Sequence, residues 1–197
     1  MSDEEKVISW LEENYKGLIL GLIIGLSILY GYKAYISNEN TKQLNLSREY
    51  DLAINEYNSG KIDKVLKFSR NNITQNPENI YTSLASLYSA KVMYKQNNFE
   101  EAYVFLEHII KYSSDKEIKN LAKYRKAKLL IEEERYEEAH LLIGEEPDNY
   151  QHIELKGDLY LIQNQYLKAI NHYNDVLTYS ITPNERKNII AKINLIK

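Results

Sequence analysis

Apolar and polar positions are arranged in two unlike ways along this chain. From Gly17 to Tyr32 they form an unbroken stretch of apolar and small residues with no charge, bracketed by Lys16 and Lys33. A helix without a polar face has nothing to offer water, so a soluble core helix is a poor reading of this stretch. A bilayer core needs about 20 helical residues. The uncharged run is shorter, but Tyr30, Tyr32 and Tyr35 suit the headgroup level, and Lys16 and Lys33 can reach outward. With these flanks the segment extends from about Tyr15 to Ile36 and closes the deficit. A cleaved signal peptide fits less well. Residues before Lys16 are net acidic through Asp3, Glu4, Glu5, Glu12 and Glu13, and no A-x-A pattern follows Lys33. Residues 17–36 are therefore expected to be an uncleaved transmembrane helix, preceded by an N-terminal segment 1–16.

Within that N-terminal segment, Ser2-Asp3-Glu4-Glu5 has the form of a capping box. Val7, Ile8, Leu11 and Tyr15 share one helical side beside Trp10, which suits a short lead-in on the membrane surface; the alternative is a frayed tail. Gly17, Gly21 and Gly25 recur every fourth residue and give the transmembrane helix a smooth packing face for a partner helix or a second copy of the chain. Charge does not settle orientation: Lys6 and Lys16 stand on one side, Lys33, Lys42 and Arg48 on the other. Residues 37–49 are polar and form a helical stalk or a linker, and residues 50–197 follow as a separate region.

In that region the pattern becomes periodic. Segments starting at Ala90, Ala127 and Gly157 align without gaps. Each has a small residue, a large one three later (Met93, Leu130, Tyr160), an aromatic nine later (Phe99, Tyr136, Tyr166) and Ala twelve later (Ala102, Ala139, Ala169). This pattern resembles the tetratricopeptide repeat, in which small residues let paired helices cross closely and the aromatic opens the second helix. The period is 37 and then 30 residues, against about 34 for that repeat. Asn120 starts one repeat early, and Gly144-Glu145-Glu146-Pro147 closes another short. A divergent earlier copy runs from Ala53 through Ile62 to Val65, with Pro77 at the terminal proline position. Thr182-Pro183-Asn184-Glu185 opens a final helix whose Ile189, Ile190, Ile193 and Ile196 form a stripe suited to cover the last repeat. The expected fold is all-α: a single transmembrane helix, then an α-solenoid with a C-terminal cap.

Composition supports helices and removes several chemistries. Only seven glycines and three prolines occur in 197 residues, and there is no cysteine, so disulfides, thiol nucleophiles and Cys-type zinc sites are out. The net charge is −3, and the part after Ile36 is nearly neutral, so no basic field invites nucleic acid. His108, His140, His152 and His172 lie in different helices without a metal-binding spacing such as H-E-x-x-H, and read as packing or surface residues. No phosphate-cradling loop and no G-x-S-x-G elbow occurs. The chain is expected to be non-enzymatic, without cofactor or metal.

The inner face of such a solenoid is lined by the first helix of each repeat. By register Leu87, Lys91, Tyr94, Lys95, Tyr124, Lys128, Ile131, Glu154, Asp158 and Leu161 are expected there, as a partner-binding groove. Lysines come first and acids last, so the groove should be bipolar. It lacks the paired Lys and Asn of carboxylate-clamp repeats. An ordinary solvated face of mixed charge is the competing reading.

Taken over its length, the chain resembles the YfgM-type ancillary subunits of the bacterial SecYEG translocon. The resemblance rests on Glu13-Asn14-Tyr15-Lys16 leading into Gly21, Gly25 and Gly31, on Tyr32-Lys33, on the repeats, and on Ile181-Thr182-Pro183 followed by Lys192-Ile193-Asn194. It implies one helix in the inner membrane, a cytoplasmic N-terminus and a periplasmic repeat domain. As partners it implies the SecYEG translocon, a periplasmic peptidyl-prolyl isomerase-type chaperone and emerging secreted polypeptides, besides membrane lipid. Richness in Asn, Tyr and Lys, where relatives favour Ala, is a departure. A tethered repeat scaffold for another envelope assembly, in cytochrome maturation or outer-membrane biogenesis, is the alternative.

Overall fold

The computed structural model describes residues 3–144, 147 and 149–196, with Glu5 described for its backbone alone. Among these residues it holds nine α-helices and no strand. The expected capping box at Ser2 and Glu5, and Glu145 and Glu146 of the expected repeat closure, lie outside the described side chains. The chain divides into two units, Met1–Glu49 and Tyr50–Lys197.

The first unit belongs to α1 (Asp3–Asn58). Its apolar residues, from Leu18 and Ile19 to Tyr35 and Ile36, are exposed on all sides. Among the described residues it is the one helix long and apolar enough to cross a membrane, and none of its apolar window is buried by the rest of the chain. Ser27, the one serine in the run, donates to the Ile23 carbonyl at 2.8 Å, and the phenols of Tyr30 and Tyr32 lie at its end, where the headgroup level is expected. A Cβ built on Gly17, Gly21 or Gly25 meets nothing within 4 Å, so this face is open. The polar residues 37–49 are helical as well.

The second unit is a run of helix pairs. The end of α1 pairs with α2 (Asp63–Gln75), α3 (Ile80–Lys95) with α4 (Phe99–Tyr112), α5 (Lys116–Glu132) with α6 (Tyr136–Ile143), and α7 (Tyr150–Ile162) with α8 (Tyr166–Leu177); α9 (Pro183–Ile196) follows. The repeat positions explain the pairing. Val65, Ala102, Ala127, Ala139 and Ala169 are completely buried, and so nearly are Ala53 and Ala90. Small side chains at these crossings let backbones approach closely enough to exclude water. The turn between paired helices is the same four times. Gly60, Asn97, Glu134 and Asn164, each seven after the small residue, have positive φ of 85°, 58°, 59° and 60°. The next residue donates its N–H back to the carbonyl five earlier: Lys61 to Glu56, Asn98 to Met93, Arg135 to Leu130 and Gln165 to Tyr160, at 2.8–3.0 Å. This is a Schellman closure, which satisfies the last carbonyls of the first helix and reverses the chain in three residues. The uneven period has two main causes: α6 has 8 residues where α4 has 14, and α7 begins at Tyr150, closer to Gly157 than α5, from Lys116, begins to Ala127.

Burial runs continuously through three adjoining clusters. The first joins α2 to α5 around Leu66, Met93, Phe105 and Ile109. The second joins α5, α6 and α7 around Leu130, Ile143 and Leu159. The third joins α7, α8 and α9 around Tyr173, Val176 and Ile189. The cap works as the pattern implies: the Thr182 N–H donates to Glu185 Oε2 at 2.7 Å, and the Glu185 N–H returns to Thr182 Oγ1 at 3.3 Å. Ile189 and Ile193 are buried and Ile196 packs against the same cluster, whereas Ile190 is exposed, one residue off that side of the helix.

Candidate functional site

The first helices of the pairs present the residues picked out by register, in three distinct settings. Lys91 and Tyr94 of α3 and Lys128 of α5 line one cleft of about 280 Å³, together with Ala90, Leu106, Arg125, Leu129 and Glu132. Ala90, Leu106 and Leu129 are buried and form its floor. The Tyr94 hydroxyl donates to Glu132 Oε1 at 3.1 Å across the mouth, and this bond raises the phenol above its ordinary value. Lys128 lies 5.8 Å over the Tyr124 ring, a cation–π distance. Lys95 is exposed at the last turn of α3 and does not line the cleft.

A second group faces inward. Leu87 is buried in the first cluster and offers the surface only its backbone, whose carbonyl accepts from Arg125 Nη1 at 3.0 Å. Tyr124 and Ile131 are half-buried against the second cluster, and Leu161 against the third. The third setting is acidic. Glu154 and Asp158 of α7 are both engaged by Lys192 of α9, whose Nζ lies 2.7 Å from Glu154 Oε1 and 2.6 Å from Asp158 Oδ1. Burial by itself would lower the Lys192 ammonium, but the bonds and charges of the two carboxylates outweigh it and raise it. Asp158 also accepts from the Tyr173 hydroxyl at 2.7 Å. The acidic end of the expected bipolar groove is thus ion-paired with the cap helix, one ammonium against two carboxylates.

Arg125 escapes a reading by register, because its guanidinium comes into the cleft from a half-buried position. Burial holds its pKa below the usual arginine value, and the acidic groups nearest to offset this are the phenols of Tyr57 and Tyr88. Two of the four histidines, His140 and His172, pack on the same Tyr160 ring, and the other two sit apart. His108 is buried with neither ring nitrogen hydrogen-bonded, His172 stacks on Tyr160 at 5.2 Å, His140 lies beside Gln163, and His152 reaches the Asn120 carbonyl. Among the described residues no three His, Asp or Glu side chains gather as a metal site would require.

An apolar helix open on every side, followed by Schellman-closed helix pairs with a cap, defines the chain as a membrane-anchored protein with a tetratricopeptide repeat-like domain. The family described as a tetratricopeptide repeat-like domain matches residues 8–197. The ancillary SecYEG translocon subunit of Buchnera aphidicola subsp. Schizaphis graminum (strain Sg) is 33% identical over 161 residues, covering 79% of this chain and 81% of that protein. Its namesake in Escherichia coli (strain K12) is 30% identical over 118 residues, 58% of this chain and 55% of the relative. That of Aggregatibacter actinomycetemcomitans is 25% identical over 114 residues, again 58% and 55%. The chain thus matches a little over half the length of the latter two relatives. No solved structure gives a significant match. The chain belongs to the family of ancillary SecYEG translocon subunits with a tetratricopeptide repeat-like domain.

Proposed function

We propose that this chain is a non-enzymatic ancillary subunit of the SecYEG translocon, linking it to periplasmic chaperones and emerging secreted polypeptides. The observation that carries this reading is one chain joining a membrane-spanning helix to a repeat domain, in a family whose members bear that name. Residues 1–16 lie in the cytoplasm, 17–36 span the inner membrane, 37–49 form the stalk, and 50–197 work in the periplasm. The Gly17, Gly21 and Gly25 face contacts another helix, and the first helices of the repeats meet partners. A tether confines those helices to the membrane surface and raises their effective concentration at the translocon exit.

The test is affinity purification of the full chain from gently solubilised membranes. Translocon subunits should co-purify, and Gly21→Leu with Gly25→Leu should weaken their recovery while leaving the helical content unchanged. Recovery of a different envelope complex without the translocon would overturn the reading. For the repeat face, photo-crosslinkers at Tyr94 or Tyr124 should capture chaperones or secreted chains more strongly than one at Leu141 of α6, which is 83% exposed. A periplasm-dependent reporter fused after Lys197 should be active; activity only at the N-terminus would reverse the topology.

A further inference from the structure

The cleft between α3 and α5 has a composition unlike the rest of the chain. Three cations line it, Lys91, Arg125 and Lys128, against the single carboxylate Glu132, which already accepts from Tyr94. Among the described residues none of the three cations is ion-paired with a carboxylate. The cleft is therefore a local excess of positive charge on a chain of net charge −3. Its floor is apolar, through Ala90, Leu106 and Leu129. Its volume of about 280 Å³ falls short of the roughly 300–1,000 Å³ usual for small-molecule sites, and suits a side chain better than a whole ligand. The acids that would repel an anionic occupant further along, Glu154 and Asp158, are held by Lys192.

We propose that this cleft docks an acidic–apolar polypeptide segment, with one aliphatic or aromatic side chain on the Ala90–Leu106–Leu129 floor and neighbouring carboxylates against Lys91, Arg125 and Lys128. This rests on the reading of the repeat domain as a polypeptide-binding module and names the chemistry of what it takes. Apolar burial holds the segment, and the exposed lysines select its charge and draw it in. Binding weakens as salt shortens the range of that attraction.

The experiment uses the full chain in nanodiscs of zwitterionic lipid, with empty nanodiscs as the blank. Fluorescence anisotropy follows a short labelled peptide of alternating Glu and Leu, the same peptide with Gln for Glu, and the same with Ser for Leu. The Glu–Leu peptide should bind, and either replacement should weaken binding by about tenfold or more. Lys91→Glu with Lys128→Glu should abolish the preference for Glu over Gln, whereas Lys95→Glu, outside the cleft, should not. Equal binding of the Gln peptide, an equal effect of Lys95→Glu, or tighter cleft-dependent binding of a single-stranded oligonucleotide would overturn the inference. Any of these results beside intact translocon co-purification defeats this inference alone; loss of that co-purification in the unmutated chain defeats the functional reading.

Discussion

Gly157→Ala tests how the last repeat is packed. Alanine is the residue at the equivalent positions Ala90 and Ala127, and in an isolated helix it is favoured over glycine by about 1 kcal/mol. Here it should destabilise. A Cβ on Gly157 would lie 2.7 Å from Cε1 and 2.9 Å from Cδ1 of Tyr173, well inside the roughly 3.5–4.0 Å of ordinary carbon contacts. The ring has nowhere to go. It is completely buried, its hydroxyl donates to Asp158 at 2.7 Å, and Lys192 sits 5.4 Å over its face. Overpacking of this kind costs about 1–3 kcal/mol, and a pinned ring puts the cost near the upper end, so about 2 kcal/mol remains after the propensity gain. Tyr173 aligns with Leu106 and Ile143 of the other repeats, which face Ala90 and Ala127. In a Tyr173→Leu background Gly157→Ala should thus be neutral or stabilising by up to about 1 kcal/mol, a coupling of about 2–3 kcal/mol between the two sites. Urea unfolding of the detergent-solubilised chain, read by circular dichroism, should show the single variant's midpoint about 1 M lower. Because a repeat array can open pair by pair, amide exchange in α7 and α8 should quicken in step. A neutral or stabilising Gly157→Ala, or an equal cost in the Tyr173→Leu background, would refute the reasoning.

Two further predictions concern the turn and the pH response. Glu134 occupies the left-handed turn position that Gly60, Asn97 and Asn164 fill elsewhere, so Glu134→Gly should stabilise by about 0.5–1 kcal/mol in the same unfolding assay; a loss of stability would show that its side chain matters more than its backbone. Burial holds the His108 imidazole below its ordinary value, and burial followed by the charge of Lys156 does the same for His172. The unfolded chain therefore binds more protons below about pH 6.5, and stability should be level above that pH and fall as pH drops through it towards the depressed folded values. His108→Leu should remove part of the fall measured between about pH 7 and 5, leaving the share of His172; an unchanged slope would mean that His108 takes up its proton alike in the folded and unfolded states, contrary to its burial.

The parts of this protein legible in its sequence are those set within a turn or two of one helix. An uncharged run from Gly17 to Tyr32 is apolar whatever surrounds it, so the anchor is a local property. The small and alanine positions recur because each pair meets the same steric demand, and they appear in the structure as buried crossings from Ala53 to Ala169, whereas the aromatics are half-buried at Phe99 and Tyr136 and exposed at Tyr166. The left-handed turn position was there to be found in Gly60, Asn97 and Asn164, but Glu134 breaks the composition while keeping the backbone. The candidate site depended on contacts between helices far apart in the chain. Lys192 reaches back to Glu154 and Asp158, Arg125 to the carbonyl of Leu87, and Tyr94 to Glu132. Helical register tells which side of a helix a residue occupies. Whether that side meets solvent, a neighbouring helix or an ion partner depends on how successive pairs stack, and with a period of 37 and then 30 residues that stacking is not repeated from one pair to the next. Thus Leu87 turned inward, the acidic residues of α7 became ion-paired with Lys192 of the cap, and Lys91, Arg125 and Lys128 came together in one cleft between α3 and α5.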